Sequence, residues 1–323
     1  AGNRDPQILT CTHEEQATAI AHGYAKVSGK PMGLLFHGTV GVQHAAMAVY
    51  NAYVDRVPMV IFGSTHTDPV TRVTSVDWAH SAHDTGKIIR DFTKWDAAPV
   101  SLQGFAEAYV RAMKIALTPP MGPVYLALDA HLQEAEAKQA RVSIPPFTPS
   151  QPPAGAPNAV REAARMLVAA SKPVIVADRL ARTPAGLAGL IQLAEAVQAP
   201  VVDKFGRMNF PTDHYLNQTF DERTLIAEAD FILALEVEDV WGVVNAVNRS
   251  DHSVRRKAKA EVKVASISAN YLYLKANYQS FRPLLKRAAR PWKKPVTAGM
   301  PARSPWRGCR WNYGRRSSTG NGH

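Results

Sequence analysis

Short, wholly apolar runs alternate with helix-length stretches along most of this chain, and that alternation allows very few folds. Gly33 to Phe36 reads Gly-Leu-Leu-Phe and Pro58 to Phe62 reads Pro-Met-Val-Ile-Phe, with a helical stretch over 43–54 between them. Runs this short and apolar are what strands look like when helices cover both sheet faces. A strand, a helix and a second strand at this spacing form a βαβ unit, parallel and right-handed. The pattern returns at 122–129, 172–177, 199–202, 230–235 and 262–267, with helices expected over 104–117, 159–170, 184–197 and 222–229. The fold class is therefore α/β, with two parallel-sheet domains over 1–140 and 159–281. Residues 141–158 hold six prolines and read as a linker between them.

The first helix should begin near residue 13. Thr12 is its expected N-cap and Glu15 completes a capping box. Ala17, Ile20, Ala21 and Tyr24 recur at helical spacing and predict a narrow apolar face. Gly29-Lys30-Pro31 should end the helix. Gly38-Thr39-Val40-Gly41 reads as a turn into the second helix, and 77–100 as loop with a short helix.

The formal charge of +11 raises the question of nucleic acid, and its location answers it. Residues 282–323 contain eleven Lys and Arg and no acidic residue. Setting those eleven aside leaves 27 basic residues against 27 acidic ones, so the folded part is balanced. A tail rich in Pro, Gly, Ser and Trp, with no acidic partner, is expected to be disordered and not a nucleic-acid face. No run reaches the roughly 18 apolar residues of a membrane span, and no signal peptide is visible. Cys11 and Cys309 stand far apart and suggest neither a disulfide framework nor a zinc site. A cytoplasmic protein with no membrane or nucleic-acid partner is expected.

The segment HEEQATAIAHGYAKVSGKPMGLLFHGTVGVQHAAMAVYNAYVDRVPMVIFGS, residues 13–64, resembles the pyrimidine-binding domain of thiamine diphosphate enzymes of the acetolactate synthase, benzoylformate decarboxylase and benzaldehyde lyase type. The second α/β unit resembles their central domain, which is related to dinucleotide-binding folds. The resemblance implies that Glu14 is catalytic. In the family, the Glu of the His-Glu helix start hydrogen-bonds a ring nitrogen of the aminopyrimidine and drives the proton transfer that activates the cofactor. The alternative is that Glu14 and Glu15 merely favour the helix start. Capping accounts for Glu15 and leaves Glu14 without a structural task.

The stretch Gly38 to His44 corresponds to the family's Gly-Pro-Gly-x-x-Asn. Gly41 is kept, His44 stands where Asn is common, and both are candidate cofactor contacts. His37, His80 and His83 are candidates for the substrate pocket, with His66 weighed beside them; as plain loop residues they would have no such task. The resemblance assigns no metal to His80, His83 and Asp84. After the strand ending at Ala177, Asp178-Arg179 replaces the family's glycine-rich stretch. FAD is therefore not expected, since phosphate needs close backbone approach. Asp203-Lys204-Phe205-Gly206 reads as a plain βα loop.

The family's third domain holds the diphosphate and Mg²⁺ through a Gly-Asp-Gly motif and a later Asn. No Gly-Asp-Gly occurs here, and the first domain begins a few tens of residues late. The expectation is a fragment, a frame-shifted gene or one subunit of a split enzyme, inactive alone. The family joins or breaks carbon–carbon bonds of 2-oxo acids. Its members form homodimers or homotetramers, and a separate diphosphate-binding subunit is a further expected partner. A non-catalytic subunit, or a nucleotide- or flavin-binding module built on the central domain, is the alternative reading.

Overall fold

The computed structural model describes residues 6–66, 70, 79–80, 82–136, 141–150 and 153–269. These belong to one compact unit, Ala1–Arg282; the basic stretch over 282–323 lies outside the described residues.

The first sheet has four parallel strands: β1 (Gly33–Phe36), β2 (Met59–Thr65), β3 (Asp96–Ala97) and β4 (Pro123–Asp129), in the order β1-β2-β4-β3. Helices α1 (Glu14–Ser28), α2 (Gly38–Val54) and α3 (Leu102–Leu117) cover it, and a short α4 (Ala130–Glu134) follows β4. Met59, Ile61 and Tyr125 are fully buried with the α2 residues Val42, Ala45 and Val49. Complete burial of such side chains stabilises by roughly 1.5–3 kcal/mol each. Val60, Val124 and Leu126 face α3 on the other side.

Helix α5 (Pro157–Ala169) opens the second domain. Its sheet contains β5 (Pro173–Ala177), β6 (Val201–Asp203), β7 (Phe231–Leu235) and β10 (Lys263–Ile267), all parallel, in the order β10-β7-β5-β6. Between these lie α6 (Pro184–Val197), α7 (Glu222–Glu228) and α8 (Val240–Val244). A hairpin of β8 (Asn245–Val247) and β9 (Val254–Arg256), which the apolar pattern did not announce, precedes β10. The chain leaves β5 towards β6 and then crosses to β7 on the other side, so the strand order reverses beside β5.

Three local expectations are corrected. The N-cap of α1 is His13, whose side chain caps nothing, and Thr12 Oγ1 donates instead to Gln16 Oε1 at 2.7 Å. Glu14 and Glu15 in the first turn stabilise that terminus through the helix dipole, with no capping box. The buried face of α1 is Thr18, Ala21 and Ala25, while Ile20 and Tyr24 are 48% and 47% exposed. Close packing on α2 selects the small residues: Ala21 and Ala25 cluster with Ala45, Val49 and Ala52. Strand β1 is covered on one face only among the described residues: Leu34 and Phe36 are buried and Leu35 is exposed.

Gly29 ends α1 in the left-handed region at φ +70°, where a side chain is disfavoured. The stretch over 77–100 provides two 3₁₀ turns and strand β3 among its described residues.

Candidate functional site

His37 follows β1 and His66 follows β2, while the carboxylate singled out in the sequence, Glu14, opens α1. Helix α2 starts directly after β1, with His37 as N-cap and a Gly41 N–H to His37 O bond of 2.7 Å closing the first turn. The expected turn over Gly38–Gly41 is thus helix. Both glycines serve close approach. A Cβ on Gly38 would lie 3.1 Å from the carbonyl oxygen of His80. On Gly41 it would lie 2.6 Å from Glu14 Oε1, with Glu14 Cδ and Cγ the next nearest atoms.

Two helix N-termini therefore meet, with the first side chain of α1 resting on the bare backbone of α2. Both termini favour a carboxylate. The Glu14 carboxylate has no hydrogen bond or ion pair among the described residues. Its backbone carbonyl is tied by Thr18 Oγ1 at 2.8 Å. Glu15 points to solvent.

Histidines flank this contact in two pairs. His44 lies one turn beyond Gly41, and its ring meets that of His13 edge-on at 4.3 Å. His37 meets His80 edge-on at 4.9 Å. His13 Nδ1 and Thr39 Oγ1 are buried and make no hydrogen bond among the described residues. The structure thus brings Glu14, Gly41 and His44 together, as it does His37 and His80. His83 stands apart from both pairs, in a cavity of about 310 Å³ at the carboxyl ends of β2, β3 and β4. Thr65, Arg90, Asp96, Tyr125 and Asp129 also line it. Arg90 grips Asp84 and Asp96 there and holds the Asp84 carboxyl below its ordinary value. Burial pushes the Tyr125 hydroxyl up; it pairs with Thr85 Oγ1 at 2.9 Å. His66 follows β2, half-buried.

His13 and Thr39 were missed by sequence reasoning. His13 had a signal, as the residue beside Glu14 at a helix start. Thr39 had none, because its role follows from α2 beginning five residues early.

In the second domain, Asp178 follows β5 and pairs with Arg179 at 2.8 Å; burial pushes its carboxyl up. Asp203 and Asn209 pin the loop between them: Asn209 Nδ2 donates to Asp203 Oδ1 at 2.7 Å, and Asp203 Oδ2 accepts from Asn209 N at 3.1 Å. Asp178, Arg179, Lys204, Phe205, Gly206 and Glu238 line a crevice of about 560 Å³ with Asp55 of the first domain. No helix among the described residues is long and apolar enough to cross a membrane.

Residues 1–84 match the thiamine pyrophosphate enzyme N-terminal TPP binding domain, and residues 160–290 match the central domain of the same enzymes. The chain belongs to the thiamine diphosphate-dependent enzyme family. It is 29% identical over 216 residues to benzoylformate decarboxylase of Pseudomonas aeruginosa, covering 65% of this chain and 40% of that protein. A probable 2-ketoarginine decarboxylase of the same organism is 30% identical over 250 residues, covering 72% and 43%. A probable acetolactate synthase large subunit of Methanocaldococcus jannaschii is 28% identical over 216 residues, covering 65% and 35%. The crystal structure of benzoylformate decarboxylase from Polynucleobacter necessarius shares the fold with a TM-score of 0.66 at 22% identity, over 80% of this chain and 48% of that one. The chain thus spans about two fifths of the length of the curated relatives it matches.

Thiamine diphosphate is the family's cofactor, and the residues present suit its aminopyrimidine half. Among the described residues, the Glu14 carboxylate makes no hydrogen bond and lies on Gly41, and the buried His13 Nδ1 and Thr39 Oγ1 of the same two helix starts make none. Among the described residues no group of three His, Cys, Asp or Glu is placed to hold a metal ion.

Proposed function

We propose that this chain supplies the pyrimidine-side half of a thiamine diphosphate site in an enzyme that makes or breaks carbon–carbon bonds of 2-oxo acids. The first domain, over 1–140, would hold the aminopyrimidine. The central domain, over 159–281, would act as its scaffold, with 141–158 as linker. When bound, the cofactor supplies the carbon nucleophile and the electron sink that such bonds require. The observation that carries the reading is the Glu14 carboxylate, free of protein partners among the described residues and lying on Gly41.

In this reading Glu14 exchanges a proton with a ring nitrogen of the pyrimidine. Gly41 lets the Glu14 carboxylate lie against the helix and so places it. The imidazole of His44 and the hydroxyl of Thr39 border the ring. His37 and His80, whose rings meet edge-on at 4.9 Å, form the wall on the substrate side. His83 lines the neighbouring cavity. The diphosphate and Mg²⁺ are held by a third domain, in the same protein or in a partner, within a cytoplasmic homodimer or homotetramer. The pairing of N-terminal and central domains in family order supports this reading over a free-standing nucleotide module.

The test is hydrogen–deuterium exchange at the thiazolium carbon, with the chain assembled with a matching diphosphate-binding domain. Glu14→Gln should slow exchange by about 10²–10⁴-fold, the usual worth of a positioned acid–base group. Glu15→Gln should leave it near the parent rate. Parental exchange in Glu14→Gln would overturn the reading.

A further inference from the structure

The C-terminal end of α2 makes the most extensive long-range ion-pair system in the described structure. Asp55 caps that helix, and Arg56 follows at φ +55°, a left-handed conformation that a side-chain-bearing residue adopts only when its surroundings impose it. Both side chains reach the second domain, and they do so with opposite charge. Arg56 is buried; its Nη1 donates to Glu236 at 3.0 Å and its Nη2 to Glu238. Asp55 forms an ion pair with Arg207 Nη1 at 3.2 Å through its carboxylate and accepts a hydrogen bond from Arg207 Nη2 at 3.1 Å through its backbone carbonyl.

The receiving residues are tied into their own domain. Glu236 also takes Arg182 Nη2 at 3.3 Å and the Ala269 amide at 2.8 Å, and it too lies in the left-handed region, at φ +51°. Glu236 and Glu238 follow β7, and Arg182 follows β5. They therefore frame the point where the strand order reverses, the crevice in which an open α/β sheet usually takes its ligand. Here a side chain of the neighbouring domain sits in that position.

The same aspartate also gathers α1. Its Oδ2 accepts from His22 at 2.7 Å and from Lys26 at 2.6 Å, both in the second half of that helix. One residue thus joins the far ends of the two helices whose near ends bring Glu14 onto Gly41. At about 1.5 Å per residue, 17 residues of α2 carry the constraint roughly 25 Å to the site.

We infer that Asp55 and Arg56 form a positioning pair that seats α1 and α2 on the central domain and thereby sets the contact of Glu14 with Gly41. The central domain then serves the site by holding two helices, with its sheet crevice given over to Arg56. This inference rests on the proposed role of Glu14 for its functional meaning, but its physical content concerns the chain alone.

The experiment is amide hydrogen exchange by mass spectrometry on the full chain, without cofactor, for the parent, Arg56→Ala, Arg56→Lys and Glu238→Gln. Arg56→Ala should raise exchange about tenfold or more at the first bonded amides of both helices, residues 17–21 and 41–45. Strands at 124–127 and 174–177 should keep parental protection. Arg56→Lys, which keeps the charge and loses the two-armed grip, should fall between, and Glu238→Gln should change the same segments less. Loosening confined to 53–58 and 236–238 would overturn the inference. So would loss of protection throughout both sheets in the milder Glu238→Gln variant, which would make the pair a matter of general stability. Glu14→Gln removes one first-turn charge and should loosen only the start of α1, leaving 41–45, 53–58 and 236–238 at parental protection, so failure here and failure of the cofactor reading are separable.

Discussion

Replacing Gly41 by Ala separates what the glycine does for the site from what it does for the fold. The new methyl would lie 2.6 Å from Glu14 Oε1, 3.0 Å from Cδ and 3.1 Å from Cγ. All three obstructing atoms belong to one flexible side chain, so the carboxylate swings away and the backbone stays. Gly41 lies inside α2 without positive φ, and Ala is favoured over Gly in a helix by about 0.5–1 kcal/mol. Moving Glu14 off its preferred rotamer costs about 0.5–1.5 kcal/mol. The two nearly cancel, so stability should stay within about 1 kcal/mol of the parent, or about 2–4 °C in Tm. A displacement of about 1 Å at the reacting group costs on the order of 10²-fold in rate. Thiazolium proton exchange in the assembled enzyme should fall by about that factor. Urea unfolding followed by circular dichroism reads the first quantity, and NMR of the cofactor proton reads the second. A variant destabilised by more than about 2 kcal/mol would show that Gly41 is a packing requirement. A stable variant with parental exchange would show that the Glu14 contact is idle.

Further outcomes follow from the same geometry. Burial pushes the Asp55 carboxyl up, but the hydrogen bonds from His22 and Lys26 and the charge of Arg207 outweigh it and bring it from 3.8 to about 2. Because the folded value lies below the unfolded one, the stabilisation is fully present above about pH 4 and is lost as pH falls towards 2. With partial solvent screening it amounts to about 1–2 kcal/mol. Urea midpoints between pH 2 and 5 should show this slope in the parent and a flatter one in Asp55→Asn; equal slopes would rule out the ion-pair origin. Tyr125→Phe removes the partner of Thr85 Oγ1, which is buried. It should cost about 1–2 kcal/mol in denaturant unfolding, and an unchanged midpoint would mean that water replaces the bond.

The strands and the parallel architecture were legible because each is a local statement. Gly-Leu-Leu-Phe, Pro-Val-Tyr-Leu-Ala-Leu-Asp, Pro-Val-Ile-Val-Ala and Phe-Ile-Leu-Ala-Leu are apolar over strand length and bounded by turn residues. Their observed limits lie within a residue or so of the expected ones. A capping role for Glu15 does not set Glu14 apart, because no capping box forms and both carboxylates sit alike in the first turn; what sets Glu14 apart is tertiary, its contact with Gly41. The start of α2 was not legible either: Gly38 and Gly41 carry turn chemistry in isolation, and only the nearness of His80 and Glu14 shows that they are helical glycines chosen for approach. The buried face of α1 likewise shifted, because packing on the alanines of α2 favoured Ala21 and Ala25 over the larger Ile20 and Tyr24. The pairing of Arg56 with Glu236 and Glu238 spans 180 and 182 residues. Periodicity and turn chemistry act over a few residues, whereas an ion pair at that separation exists only once both sheets have formed and brought their ends together.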